Sequence, residues 1–299
     1  MVCEGEDTDD LHKAVTDNVD SYLKSWAEAA KNHLLHLAHA GANGHEKAFV
    51  RTADSDVVIL TIHFFSRLGL TELWIGFAGG KNYRDIPVHD ISRNLGPQKS
   101  LALPLFHAFT GCDTTSAFLG HGKKSAWAAW EATPDLTESL VTLTLDPEQI
   151  NNDAHLQRLE RMVIIMYSKT CGSSRVDEAR QHLFSNGTKS LENLPPTQAA
   201  LMQHTRRALL QASFYWSQAV VVQQDIPEFS SWGWYRDSTS KTWEPYWTTL
   251  ADASKACTIL LHCGCKKSCT GRCKCFKAGV HCTSICACEG ACTNNDGER

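Results

Sequence analysis

Nine of the chain's thirteen cysteines fall between Cys263 and Cys292, in the run CGCKKSCTGRCKCFKAGVHCTSICACEGAC. No other stretch restricts folding so strongly. The segment has too few apolar residues for a core, so something other than hydrophobic burial must hold it together. Disulfides fit poorly: nine is odd, Cys-x-Cys pairs cannot bridge internally without strain, and the acidic first thirty residues lack the apolar run of a secretory signal. Metal fits well, because the spacing C-x-C-x3-C-x3-C-x-C-x6-C-x3-C-x-C-x3-C spreads thiolates evenly along a short, loop-rich segment. Tetrahedral coordination closes the count at about three zinc ions: their twelve ligand places are filled by nine thiolates when six are terminal and three bridge two metals each. The predicted ligands are Cys263, Cys265, Cys269, Cys273, Cys275, Cys282, Cys286, Cys288 and Cys292. His262 and His281 are read as solvated neighbours.

Zinc and thiolate together leave the cluster with about three negative charges, while Lys266, Lys267, Arg272, Lys274 and Lys277 surround it with positive ones. The surface around the cluster is therefore basic, which suits a polyanion. The whole chain carries a formal charge of −4, so any nucleic-acid site is local. Cys-x-Cys-Lys-Lys-Ser at 263–268, Cys-x-Cys-Phe-x-Ala-Gly at 273–279 and the closing Cys-x-Cys-x3-Cys-x-Asn resemble the tesmin-type CXC domain, a zinc-cluster module. The resemblance implies DNA contact in the nucleus, partly through the minor groove, by Lys266, Lys267, Arg272 and Lys274. Arg272 stands where such domains commonly carry a groove-inserting tyrosine, and an arginine also enters narrow grooves.

At 299 residues the whole chain can bury a sizeable core and hold about two domains. Residues 1–20 are acidic and read as a flexible terminus. Hydrophobic spacing predicts a helix over 20–40 stopped by Gly41, a strand over 47–52, an apolar helix over 57–68 stopped by Gly69, a strand over 72–77, helices over 89–95 and 101–109, and a helix from Lys123. This alternation predicts an α/β segment over 21–133 with parallel pairing. Helices near 154–170, 174–184 and 197–219 follow, in a helical region of 134–256 whose tryptophan-rich end, SWGWYRDSTSKTWEPYWTTL, is expected to pack against them. The zinc-cluster domain completes the chain over 257–299. No apolar run approaches the roughly 20 residues of a membrane span, so a reduced, intracellular setting without membrane contact is expected.

Asp54 and Asp56 lie just past the carboxyl end of the first strand, where open parallel sheets collect ligands and where two carboxylates suit a divalent cation. Asp54 or Ser55 also fits the N-cap of the next helix. Further on, Gly111-Cys112-Asp113 is followed by Gly120-x-Gly122-Lys123-Lys124. These motifs and Thr52-x-Asp54-x-Asp56 resemble the flap-endonuclease branch of the PIN-like nucleases, over about residues 26–131. The resemblance implies a partial PIN-like parallel sheet, magnesium on Asp54, Asp56, Asp113 and Glu28, and a DNA phosphate on Gly120, Gly122, Lys123 and Lys124. Ala30 occupies the family's second acidic helix position, and the strand bearing its earliest aspartate is absent, so the expectation is a decayed nuclease or the carboxyl-terminal part of a larger protein. The whole chain also resembles a group of animal proteins, read as mobile-element-derived, that join such a segment to a cysteine cluster.

Three functions follow in order. The first is a zinc-cluster DNA-binding protein with an incomplete nuclease-like domain. The second is an active magnesium-dependent structure-specific nuclease. The third is an interaction protein whose tail is merely folded by zinc.

Overall fold

A computed structural model describes residues 19–185, 193–221 and 225–249, and in the tail 263–266, 269, 272–277, 281–282, 286–289 and 291–294, with side chains from residue 31 onward. The acidic terminus expected over 1–20 falls almost wholly outside the described residues. The chain divides into two compact units, Met1–Thr248 and Thr249–Arg299.

Helix α1 spans Val19–Ala42 and so runs through the predicted stop at Gly41. Packing requires that glycine: a Cβ there would stand 1.9 Å from the Leu68 carbonyl oxygen. Strand β1 (Lys47–Thr52) pairs in parallel with β2 (Glu72–Phe77), as expected, and Lys47 Nζ lies 2.6 Å from Glu72 Oε2 in the first register pair. Helix α2 (Ser55–Phe64) makes the crossover; capped by Asp54, it starts at Ser55, two residues before the predicted position, and a 3-10 turn, Phe65–Arg67, follows it. A third strand, β3 (Arg84–Pro87), adds antiparallel to β2. The sheet is therefore mixed, in the order β1-β2-β3, rather than parallel throughout. Four residues, two of them charged and one proline, carry no alternation from which β3 could be read.

The helices predicted over 89–95 and 101–109 form one element, α3 (Val88–Phe109), broken where Gly96 takes φ 73 just before Pro97. Five helices follow: α4 (Lys123–Ala132), α5 (Leu136–Leu145), α6 (Asp153–Tyr167), α7 (Val176–Ser185) and α8 (Gln198–Leu209), the last continuing as a π-helical turn, Leu210–Trp216. Of these, α5 has no counterpart among the helices expected from sequence. The tryptophan-rich stretch forms a hairpin of β4 (Trp234–Arg236) and β5 (Trp243–Pro245). Trp232 and Trp234 are buried as expected, whereas Trp247 is exposed.

One core runs through the first unit, from Leu34 and Leu60 by way of Leu73, Phe109 and Trp130 to Leu140, Val163, Leu201, Trp216 and Trp234. The expected boundary between 133 and 134 is thus not a break in packing: helices on both sides share the same buried cluster. Among the described residues no helix is long and apolar enough to cross a membrane.

Candidate functional site

In the second unit the nine predicted ligands converge. Eight of the cysteines are buried and Cys265 is half-buried against them, around one short helical turn, α9 (Lys274–Lys277). All are free thiols. Sulfur–sulfur separations are 3.7 Å for Cys263–Cys269, 3.8 Å for Cys263–Cys282, 3.8 Å for Cys269–Cys288, 3.7 Å for Cys275–Cys286 and 3.6 Å for Cys288–Cys292. A disulfide would need about 2 Å. The edge of a tetrahedron with zinc–sulfur bonds of about 2.3 Å is about 3.8 Å, so these separations are compatible with sulfurs gathered around metal.

Three groups of four bring their sulfurs within 4.8 Å of one another: Cys263, Cys282, Cys286 and Cys288; Cys263, Cys269, Cys273 and Cys282; Cys269, Cys282, Cys288 and Cys292. Cys263, Cys269 and Cys288 each belong to two groups, and Cys282 to all three. The backbone ties the strands of this knot together, with Cys282 N–H donating to the Asn294 carbonyl at 2.6 Å and Ala287 N–H to the Cys263 carbonyl at 2.9 Å. Burial pushes the Cys269 and Cys282 thiols well up and Cys275 to about 12, whereas a backbone N–H of Phe276 brings Cys273 down to about 6. A bound cation would resolve this crowding, because a metal-bound thiol is deprotonated outright. The donor set, all sulfur and mostly buried, fits zinc. Lys266, Arg272, Lys274 and Lys277 belong to the same short tail, and Arg272, Lys274 and Lys277 have no carboxylate within ion-pair distance among the described residues. Lys267 lies outside the described residues, and His281 is exposed and in none of the sulfur groups.

The carboxylates of the first unit are arranged differently. Asp54 caps α2, its Oδ1 accepting from Asp56 N–H at 2.8 Å, while its own N–H donates to Thr52 Oγ1 at 3.1 Å. Asp56 is buried and its Oδ1 lies 2.9 Å from His107 Nε2, brought by the last turns of α3. Asp113 lies within the tight turn Cys112–Thr115 and stands close enough to feel both other aspartates. Burial first, then the charge of neighbouring carboxylates, holds the Asp54 and Asp113 carboxyls above the usual carboxylate range. Among the described residues, no acidic group joins the close-packed donor sets that the cysteines form. Glu28 lies on α1, with its side chain outside the described residues.

The residues expected to hold a phosphate separate into two kinds. Gly120 takes φ 75 and Gly122 caps α4, with Lys124 exposed beside it. Lys123 instead turns inward. Its ammonium donates to the His107 carbonyl at 2.5 Å, to Thr110 Oγ1 at 2.8 Å and to the Gly111 carbonyl, and so closes the carboxyl end of α3. Burial pulls its pKa down to about 8. His107 is absent from the residues expected at this site; its one signal in the sequence is a polar residue inside the apolar run LPLFHAF just before Gly111-Cys112-Asp113. Compared with known proteins, the chain matches no family model, no curated protein and no solved structure.

Proposed function

We propose that the chain is a nuclear zinc-cluster protein that grips DNA through the basic surface of its tail and also carries a nuclease-like unit whose acidic site is incomplete. The observation that carries the reading is the buried knot of sulfurs in a segment that also carries Lys266, Arg272 and Lys274. Three zinc ions on nine thiolates need three bridging sulfurs, and Cys263, Cys269, Cys282 and Cys288, the sulfurs shared between four-membered groups, are the candidates for them. Zinc supplies the folding energy of a segment with almost no hydrocarbon to bury. The cations around it would neutralise phosphates, and Lys267 belongs to the same set.

Elemental analysis of the purified protein should return about three zinc ions per chain. One ion or none would sink the cluster. Acid should release the metal, because protons compete for the thiolates. Binding to duplex DNA should weaken steeply with added salt as counterions are released. Replacing Lys266, Lys267, Arg272 and Lys274 by glutamine should flatten that dependence, by about one unit of log–log slope for each phosphate no longer neutralised. Unchanged affinity in this variant would leave the tail a structural knot. In the first unit, Asp54, Asp56, Asp113 and Glu28 are the residues a magnesium ion would use, with Gly120, Gly122 and Lys124 toward a phosphate. Two of these aspartates already serve as a helix cap and a histidine partner, which supports an incomplete site over an active nuclease.

A further inference from the structure

At the opposite end of α2 from Asp56, a cleft of about 580 Å³ opens between the turn after α2 and the first half of α3. That volume lies within the range of about 300–1,000 Å³ typical of small-ligand sites. Its polar lining consists of two guanidiniums, Arg67 and Arg93, the imidazoles of His63 and His89, and the hydroxyls of Ser66, Ser92 and Ser100. Phe65, Pro97 and Leu101 complete an apolar wall.

Arg67 is the central charge. Its guanidinium lies 4.2 Å over the Phe64 ring, and its Nη2 donates to His63 Nε2 at 2.8 Å. His63 Nδ1 in turn faces the Ser100 carbonyl at 3.2 Å, so the imidazole is a neutral acceptor that orients the arginine. Burial holds His63 in that state by taking its pKa down to about 4. No carboxylate among the described residues lies within ion-pair distance of Arg67, whereas Arg93 is paired with Asp90 at 2.8 Å. The break at Gly96 restarts α3 at Pro97 on the wall of the cleft, which adds the positive end of a helix of more than eight residues. His89 is anchored by the Leu73 carbonyl at 3.0 Å and stands 6.5 Å from Phe65, ring to ring, so two planar faces border the charged end.

We propose that this cleft binds a nucleoside monophosphate, with its phosphate on Arg67, assisted by Arg93 and the Pro97 helix start, and its base against Phe65 and His89. A guanidinium without a carboxylate partner keeps N–H donors for a phosphate besides the one it gives His63. The serine hydroxyls suit a sugar, and the aromatic faces suit a flat heterocycle. The site is independent of the cysteine cluster and of the acidic residues.

The probe is adenosine 5′-monophosphate, titrated calorimetrically into the full zinc-loaded chain, with adenosine and inorganic phosphate in parallel. The monophosphate should bind, and each half alone should bind at least about tenfold more weakly. Arg67→Gln should cost about tenfold or more in affinity; because it also removes the bond to His63 Nε2, a small drop in melting temperature is expected, and affinity is compared well below the melt. Ser66→Trp should abolish binding by filling the cleft without touching a charge. Binding that both variants leave intact, or no binding at millimolar nucleotide, overturns the proposal. So does phosphate binding as tightly as the nucleotide. Displacement of the nucleotide by a short 5′-phosphorylated DNA strand, persisting in the tail glutamine variant, also overturns it and assigns the cleft to a strand end.

Discussion

Asp56 gives a carboxylate oxygen to the His107 imidazole, and Asp54 gives one to the first turn of α2. A cation entering between them and Asp113 would have to compete with both bonds. Phosphodiester hydrolysis by metal needs both the attacking and the leaving oxygen stabilised, which a loosely held ion does not provide. The chain is therefore expected to show little magnesium- or manganese-dependent cleavage of flap or single-stranded DNA. Robust cleavage that disappears in Asp54→Asn with Asp56→Asn would put the nuclease reading first. The acidity has a sign that titration can check. The Asp54 and Asp113 carboxyls are raised by burial, so once ionised they weaken the fold, and that weakening fades as pH falls through the carboxylate range. The aspartate motifs were legible because Thr-x-Asp-x-Asp and Gly-x-Asp are local patterns. The His107 bond was not, since its partner lies 51 residues away and only the fold joins them.

Helix α4 begins at Lys123, where the Gly-x-Gly turn predicted it, yet the lysine closes a different helix from the one it starts. Three acceptors at the end of α3 hold its ammonium, so α3 and α4 are locked at one point. Lys123→Met should destabilise the first unit by about 1–3 kcal/mol, the range for leaving buried polar groups unpaired. Its pH signature is distinctive. The folded value, about 8, lies below the ordinary 10.5, so the unfolded chain holds more protons between them and wild-type stability should rise with pH across that window. In Lys123→Met, thermal melts from pH 8 to 10 should lose this rise; an unchanged slope would mean that the ammonium is not held as described. Long periodic helices such as α6 were readable from sequence, with ends within a few residues. β3 and the β4–β5 hairpin were not, because such short elements derive their conformation from packing rather than from their own pattern, and α5, as long as α4, was hidden by the β-branched residues of LTESLVTLTL.

The first unit keeps a single core from Leu34 to Trp234, so its helices past residue 133 are structural partners of the sheet. A chain ending at residue 133 would lose Leu140, Val163, Leu201 and Trp216 from that core and should lack a cooperative melt. One ending at Thr248 should retain it. Near-UV circular dichroism of the two variants decides the point, and a cooperatively folded 1–133 would restore the boundary that the sequence suggested. The cysteine tail was the most legible part of the molecule, since ligand spacing is written directly in the chain, whereas a shared core depends on residues far apart in sequence. The two units also differ in heat capacity. Unfolding the first exposes many aliphatic and aromatic side chains, so its stability curve is a dome that sags on cooling as well as on heating. Unfolding the tail exposes chiefly sulfur and loop backbone, so with zinc bound as proposed its curve should be nearly flat in temperature and should track the logarithm of free zinc instead. Cold weakens only the unit that is held by hydrocarbon.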